Sequence, residues 1–223
     1  MDLFGSLSIA ELVLRAITFL IAVAVHEFAH AFVADRMGDS TARDMGRLTL
    51  NPFVNIYWPG FIMAILIGFG VLGTAPVNER RMRNPRWGMF AAVLAGPVSN
   101  LLLAILCAIP FWFGMQVAVP GPRDFVPTIP AIMTRLVIIN LVLFIFNLIP
   151  LFPLDGWTIL MKLLPPQTAY TLSRYQNEST YVLFGLVILS YISPSLNLLT
   201  FILGPPLEFL LHILIPTKAF FGF

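Results

Sequence analysis

Five consecutive residues, His26-Glu27-Phe28-Ala29-His30, have the types and spacing that a metal-dependent hydrolytic site needs. On a helix, His26 and His30 lie one turn apart on the same face, so their imidazoles can bind one Zn²⁺. Glu27 then lies beside the metal, where its carboxylate can take a proton from water. The same pattern also occurs by chance, and in that case the two histidines and the glutamate share no role.

The position of this motif favours chemistry over chance. It lies in an apolar run over residues 12–33, which we predict to be part of a first helix over residues 9–37 that ends before Gly38. Carboxylates and imidazoles inside a membrane helix are costly, so they usually face a polar interior and mark function. The chain has only 3 histidines, and two of them are in this motif.

The composition indicates an integral membrane protein. Of the 223 residues, 58% are hydrophobic and 11% are charged, whereas soluble domains carry about 25% charged residues. We predict one domain over residues 1–223, with a core at 9–165 and two further membrane segments within 180–215. The net charge of +2 gives no indication of a nucleic-acid partner. The single Cys107 can form no internal disulfide.

Two histidines leave a catalytic zinc one protein ligand short, because such sites typically have three. The candidates are His212, the third histidine, and Asp155, which lies in a proline-rich stretch between two apolar runs. We favour Asp155, because Pro150 and Pro153 would break the helix there and Gly156 permits a tight bend. The alternative is an ordinary Asp-Gly turn at the membrane surface.

Three motifs in this order resemble those of the site-2 protease family, zinc metalloproteases that cut within the membrane. They are HEFAH at 26–30, GPVSN at 96–100 and NLIPLFPLDG at 147–156. The resemblance covers roughly residues 15–165. The chain looks like a minimal member without a PDZ module. It departs from the family at 55–58, where similar members often carry a His-Ile-Asp stretch, and at Trp157, where glycine is common.

The resemblance implies an all-α polytopic membrane protein and a zinc-dependent intramembrane endopeptidase. Its partners would be the lipid bilayer and a transmembrane protein substrate, and its cofactor one Zn²⁺ per chain. Glu27 would be the catalytic base, and Asn100 and Asn147 would hold the substrate or the developing oxyanion. Interhelical hydrogen bonding is the alternative for both asparagines. The implied zinc ligands are His26, His30 and Asp155.

Topology follows from the requirement that both parts of the site reach one zinc. The two parts meet on one side only if an even number of crossings separates them, and the runs at 87–119 and 132–149 supply two. We therefore predict that residues 58–75 form a re-entrant or surface-lying segment, preceded by a short strand within 46–52. The arginine-rich loops then place the active site toward the cytoplasm, with the N-terminus outside and the C-terminus inside a prokaryotic cell membrane.

Two other functions compete with this prediction. A membrane metal transporter would also place His, Glu and Asp inside the membrane, but an ion path needs polar groups through the whole depth. A catalytically silent protein of the same fold would bind client proteins without cutting them. The intact Glu27 argues against the second alternative.

Overall fold

The computed structural model describes residues 8–68, 70, 73–121, 124–192 and 197–221. Within these residues the chain forms eleven α-helices and one short 3₁₀ turn at Glu79–Arg81. The helices are α1 (Ile9–Arg36), α2 (Thr41–Asp44), α3 (Pro52–Asn55), α4 (Trp58–Ile67), α5 (Pro85–Trp112), α6 (Ile129–Asn147), α7 (Asp155–Leu163), α8 (Pro166–Ser173), α9 (Gln176–Ile192), α10 (Leu198–Leu214) and α11 (Lys218–Phe221).

Helices α1, α5 and α6 form the centre of the bundle and pack against one another. They are the three helices of the described chain that are long and apolar enough to cross a membrane, with 28, 28 and 19 residues. Small buried residues let their backbones approach closely, as is usual between membrane helices. These include Ala22 and Ala31 on α1 and Ala92 and Ala104 on α5. The predicted all-α membrane bundle is therefore confirmed.

The predicted helix limits differ from the observed ones at α5 and α6. Helix α5 begins at Pro85, after Asn84 caps its first turn, and ends at Trp112 rather than near residue 119. Gly114 follows with a φ of 101°, a left-handed conformation that stops the helix. Helix α6 begins at Ile129 and includes Pro130, since proline is tolerated in the first turn of a helix.

The segment between α1 and α5 contains no spanning helix among its described residues. Helix α4 has 10 residues, so it is about 15 Å long, half of a hydrocarbon core. It ends at Gly68, which has a φ of 88°. Two side chains bind carbonyls in its last turn: the Arg15 guanidinium donates to Ile65 O at 3.3 Å and the Tyr191 hydroxyl to Ile67 O at 2.9 Å. These lengths agree with the predicted non-crossing segment.

The short strand expected within residues 46–52 is not formed. Gly46 has a left-handed φ of 66°, and the Asn51 side chain accepts from Phe53 N to start α3. Both features turn the chain away from an extended course. The described residues contain one isolated antiparallel bridge instead, between Ile56 and Gly73.

The C-terminal part of the described chain adds α10, which packs against α6, and α9, which packs against α10. Each has 17 residues and is therefore about 25 Å long, somewhat less than a hydrocarbon core. They correspond to the predicted apolar runs within 180–215. The break expected at Pro194 lies outside the described residues. That both helices cross the membrane stays a prediction.

Candidate metal centre

Helix α1 brings His26 and His30 together as the one-turn spacing predicts. Both side chains are buried, their Nε2 atoms lie 2.9 Å apart, and their rings meet edge to face. Gly96 on α5 makes room for this pair. A Cβ at position 96 would overlap the His30 ring and lie 2.8 Å from Cε1 of His26. A glycine on the neighbouring helix is therefore part of the site.

Hydrogen bonds at the other ring nitrogens fix the tautomers of both histidines. His30 Nδ1 lies 2.8 Å from the carbonyl oxygen of Ala92, which can only accept, so Nδ1 carries the proton. His26 Nδ1 lies 2.6 Å from Oδ1 of Asn100. The Asn100 amide donates to Asn140 Oδ1 at 2.7 Å and to Ala22 O at 3.3 Å, so its oxygen faces the imidazole. Both Nε2 lone pairs therefore point toward the same space.

Asp155, the first residue of α7, completes this group. Its Oδ2 lies 3.2 Å from Nε2 of His26 and 3.4 Å from Nε2 of His30, and this buried oxygen has no hydrogen-bond donor. The chain bends back tightly here, since a Cβ at Gly156 would collide with the carbonyl oxygens of Leu148 and Ile149.

The three acceptors fit a zinc ion. Three lone-pair atoms that face one another in a buried space repel unless a cation lies between them. Ligand atoms of a tetrahedral zinc with bonds of about 2.0–2.2 Å are about 3.3 Å apart, close to the separations of 2.9–3.4 Å measured here. His212, the rejected candidate, lies on α10 with an exposed side chain and is not part of the group.

Glu27 is buried beside the two histidines and lines the same cavity. The backbone at Gly73 packs directly on it, because a Cβ there would come within 2.8 Å of both Cγ and Oε1. The loop before α4 holds this covering segment in place. Arg47 donates to Asn55 Oδ1 at 3.1 Å and to Thr74 O at 2.8 Å, and Thr74 N donates to Asn55 O at 3.3 Å.

The asparagines occupy three different settings. Asn100 is 0% exposed and its amide is engaged with His26, Asn140 and Ala22, so it orients an imidazole and does not face the cavity. Asn147 lines the cavity and donates back to Leu143 O at 3.0 Å. Sequence reasoning missed Asn140, which is also fully buried. A polar residue in the middle of an apolar run was the available signal.

A cavity of about 1340 Å³ joins the metal centre to the opposite part of α1. At one end it is lined by His26, Glu27, His30 and Asp155, and at the other by Glu11 and Arg15. Helices α4, α5, α6, α9 and α10 also contribute to its wall. The cavity is large enough to hold several residues of a polypeptide, and it reaches the buried carboxylate of Glu27.

A bundle of membrane-length helices around a zinc-type His-His-Asp group defines a membrane metalloprotein. Comparison with known proteins narrows this class. The profile of Peptidase family M50 matches residues 14–121. YwhC of Bacillus subtilis, provisionally named as a zinc metalloprotease, is 36% identical over 192 residues, covering 84% of this chain and 86% of the relative. Rip2 of Mycolicibacterium smegmatis, named likewise, is 31% identical over 185 residues, covering 80% and 66%. No solved structure matches significantly.

The chain therefore belongs to Peptidase family M50, the site-2 protease family, and its cofactor is zinc. The resemblance found in the sequence is confirmed. The described residues contain no separately folded module of the PDZ kind.

Proposed function

We propose that this protein is an intramembrane zinc endopeptidase that hydrolyses peptide bonds of membrane-spanning substrates. The observation that carries the proposal is the convergence of His26 Nε2, His30 Nε2 and Asp155 Oδ2 within 3.4 Å of one another, beside a buried glutamate, with both histidines on a helix of membrane length. Family membership supports the hydrolytic chemistry, and the apolar helices around the site support a substrate within the bilayer.

His26, His30 and Asp155 would hold one zinc ion. When bound, zinc supplies a Lewis acid that polarises a peptide carbonyl and makes water more acidic. The ring Nδ1–H groups stay engaged with Asn100 and Ala92, so both imidazoles present a neutral Nε2 lone pair in a fixed direction.

Glu27 acts as the catalytic base in this proposal. Its carboxylate takes a proton from the attacking water and delivers that proton to the leaving amine, so the proton balance closes within one turnover. The backbone at Gly73 packs against the Glu27 side chain and restricts the directions in which the Glu27 carboxylate can point. Asn147, on the cavity wall, offers an amide to the substrate backbone.

The active site would face the cytoplasm, with the N-terminus outside and the C-terminus inside the cell membrane. The loops that follow α1 and precede α5 lie at one end of the bundle and are rich in arginine, which the positive-inside tendency assigns to the cytoplasm. Metal transport is less compatible with the cavity, because Phe19, Val23 and Ile139 line it between its two polar ends.

The decisive experiment compares the wild type with Glu27→Gln, both purified in detergent. We expect about one zinc per chain in each, and cleavage of single-span membrane substrates by the wild type alone. Glu178→Gln, at an exposed site on α9, is the matched control and should cut normally. Zinc in both proteins with equal cutting would exclude Glu27 as the base. A wild type that binds no zinc would refute the metal centre and the proposed activity together.

A further inference from the structure

A cluster of three charged side chains lies at the end of the cavity away from the metal centre. Arg15 Nε donates to Glu11 Oε1 at 2.9 Å, one turn apart on α1. Arg135 on α6 donates to both oxygens of the same carboxylate, at 2.8 and 2.9 Å. Ionic groups inside a membrane protein generally face a cavity and mark function.

This cluster is not electrically neutral. Two guanidinium groups share the Glu11 carboxylate, and within the described residues neither arginine forms an ion pair with a second acidic group. One positive charge is therefore left over. A cluster that served only to join α1 to α6 would gain from being neutral, because an unbalanced charge in a partly buried setting is costly.

The remaining charge is accessible from the cavity. Arg15 lines the cavity wall and its side chain is 22% exposed, whereas the Arg135 side chain, which is 31% exposed, is not part of the lining. Arg15 also donates to Ile65 O at 3.3 Å, which fixes the direction of its guanidinium. Within the described residues only two of its five N–H groups have an acceptor, and a fixed guanidinium with N–H groups to spare is well suited to bind a carboxylate.

The cavity thus has polar groups at both ends and an apolar wall between them. Arg15 and Glu27 are 12 residues apart on α1, which is about 18 Å along the helix axis. The intervening wall includes Phe19, Val23 and Ile139. An occupant that matches this wall is apolar over about 18 Å and carries an anionic group at one end.

We infer that Arg15, held by Glu11, is a specificity site that binds an acidic side chain of the substrate at a fixed distance from the cut bond. The inference rests on the proposed function, because the occupant is the polypeptide to be cut. The carboxylate would lie about 12 residues from the scissile bond if the intervening segment stays helical, and about 5 residues if it is fully extended.

Binding can be tested without cleavage in the Glu27→Gln background. The probes are fluorescent single-span peptides with a Leu/Ala span, identical except for one Asp or one Asn at the position expected to meet Arg15. We expect the Asp peptide to bind about tenfold or more tightly, since Asn keeps one acceptor oxygen but loses the negative charge and the two-point contact of the carboxylate with the guanidinium. Equal binding of the two peptides, or binding of neither, would overturn the inference.

Two variants with opposite expected effects test whether Arg15 causes the preference for the Asp peptide. Arg15→Gln should abolish it, whereas Glu11→Gln should increase it, because the cluster then carries two unbalanced positive charges. Arg80→Gln, at an exposed site in the loop before α5, is the matched control and should leave the preference unchanged. If Arg15→Gln does not fold, as judged by its zinc content, the Glu11→Gln result decides, and an unchanged preference there counts against the inference.

Cleavage by the wild type separates this inference from the proposed function. If the wild type cuts both peptides equally well, the protease activity stands and the specificity site fails. If the Asp peptide binds preferentially but is never cut, the cationic site stands and the endopeptidase proposal fails. If both hold, moving the Asp by four residues should move the cut site by the same number.

Discussion

At the scale of single residues, the two imidazoles are held by different acceptors. His30 donates to a main-chain oxygen of Ala92, which no side-chain substitution removes, but His26 depends on Asn100, which Asn140 holds in turn. Such outer partners typically contribute 10–100-fold to metal affinity or activity. The His26 side of the centre is therefore the one that mutation can weaken.

Asn140→Leu tests this dependence. The substitution removes the acceptor for the Asn100 amide while keeping a similar volume, so we expect zinc to bind about tenfold more weakly. Asn147→Leu is the matched change on the same helix. It leaves the His26 partners intact and should change the KM for substrate without changing zinc affinity. Competition with a chromophoric chelator gives the zinc affinities, and equal values for the two variants would contradict the assignment.

Gly96→Ala tests the steric side of the same centre. The added methyl group would overlap the His30 ring, so either the imidazole or α5 must move, and we expect at least tenfold weaker zinc binding with a matching loss of activity. Gly185→Ala on α9 has no neighbouring atom within 4 Å and should behave as the wild type. Normal zinc affinity in Gly96→Ala would show that the centre has more room than the structure provides.

At the scale of elements, the loop before α4 holds the segment that packs on Glu27, the proposed base. Arg47 binds Asn55 and Thr74, and Thr74 follows the glycine that packs on Glu27. Loss of these bonds should loosen the covering segment and leave the metal ligands untouched. This would give a role to Asn55, which lies in the stretch at 55–58 where the sequence predicts a departure from the family pattern.

Arg47→Gln should therefore lower kcat by about tenfold to a hundredfold with about one zinc still bound, because small displacements of a catalytic group are costly. Arg47→Lys keeps the charge but loses the two-point contact, so its kcat should lie between those of the wild type and Arg47→Gln. Arg43→Gln removes a neighbouring exposed arginine that pairs with Asp35 and should have normal kinetics. A proportional loss of zinc and kcat in Arg47→Gln would instead indicate a general structural role.

The same elements explain which features could be predicted from the sequence. The one-turn spacing of His26 and His30 follows from helix geometry, and the helix break before Asp155 follows from the prolines near it. Both features depend only on residues that are close together in the sequence. Asn140 was missed because the face that a residue presents to another helix depends on how the helices pack. Alternation within 46–52 suggested a strand, but a strand needs a partner, and the structure provides only the single bridge at Ile56.

At the scale of the whole molecule, the position of the site depends on which helices cross. The metal centre joins the C-terminal part of α1 to the N-terminus of α7, and α5 and α6 lie between them in the chain. With two crossings between the parts, the loops after α1 and before α5 share one side of the membrane. An additional crossing by residues 58–75 would separate them.

Single-cysteine labelling in whole cells tests this topology, since Cys107 is the only native cysteine and is buried. In a Cys107→Ala background, Met45→Cys and Arg80→Cys should be protected from a membrane-impermeant maleimide until the cells are opened. Val126→Cys, in the loop between α5 and α6, should react at once. All three side chains are exposed at the protein surface, so a difference in labelling reports the side of the membrane on which each position lies. Opposite labelling of positions 45 and 80 would mean that residues 58–75 cross. Both positions reactive in intact cells, with position 126 protected, would keep the fold and reverse its orientation.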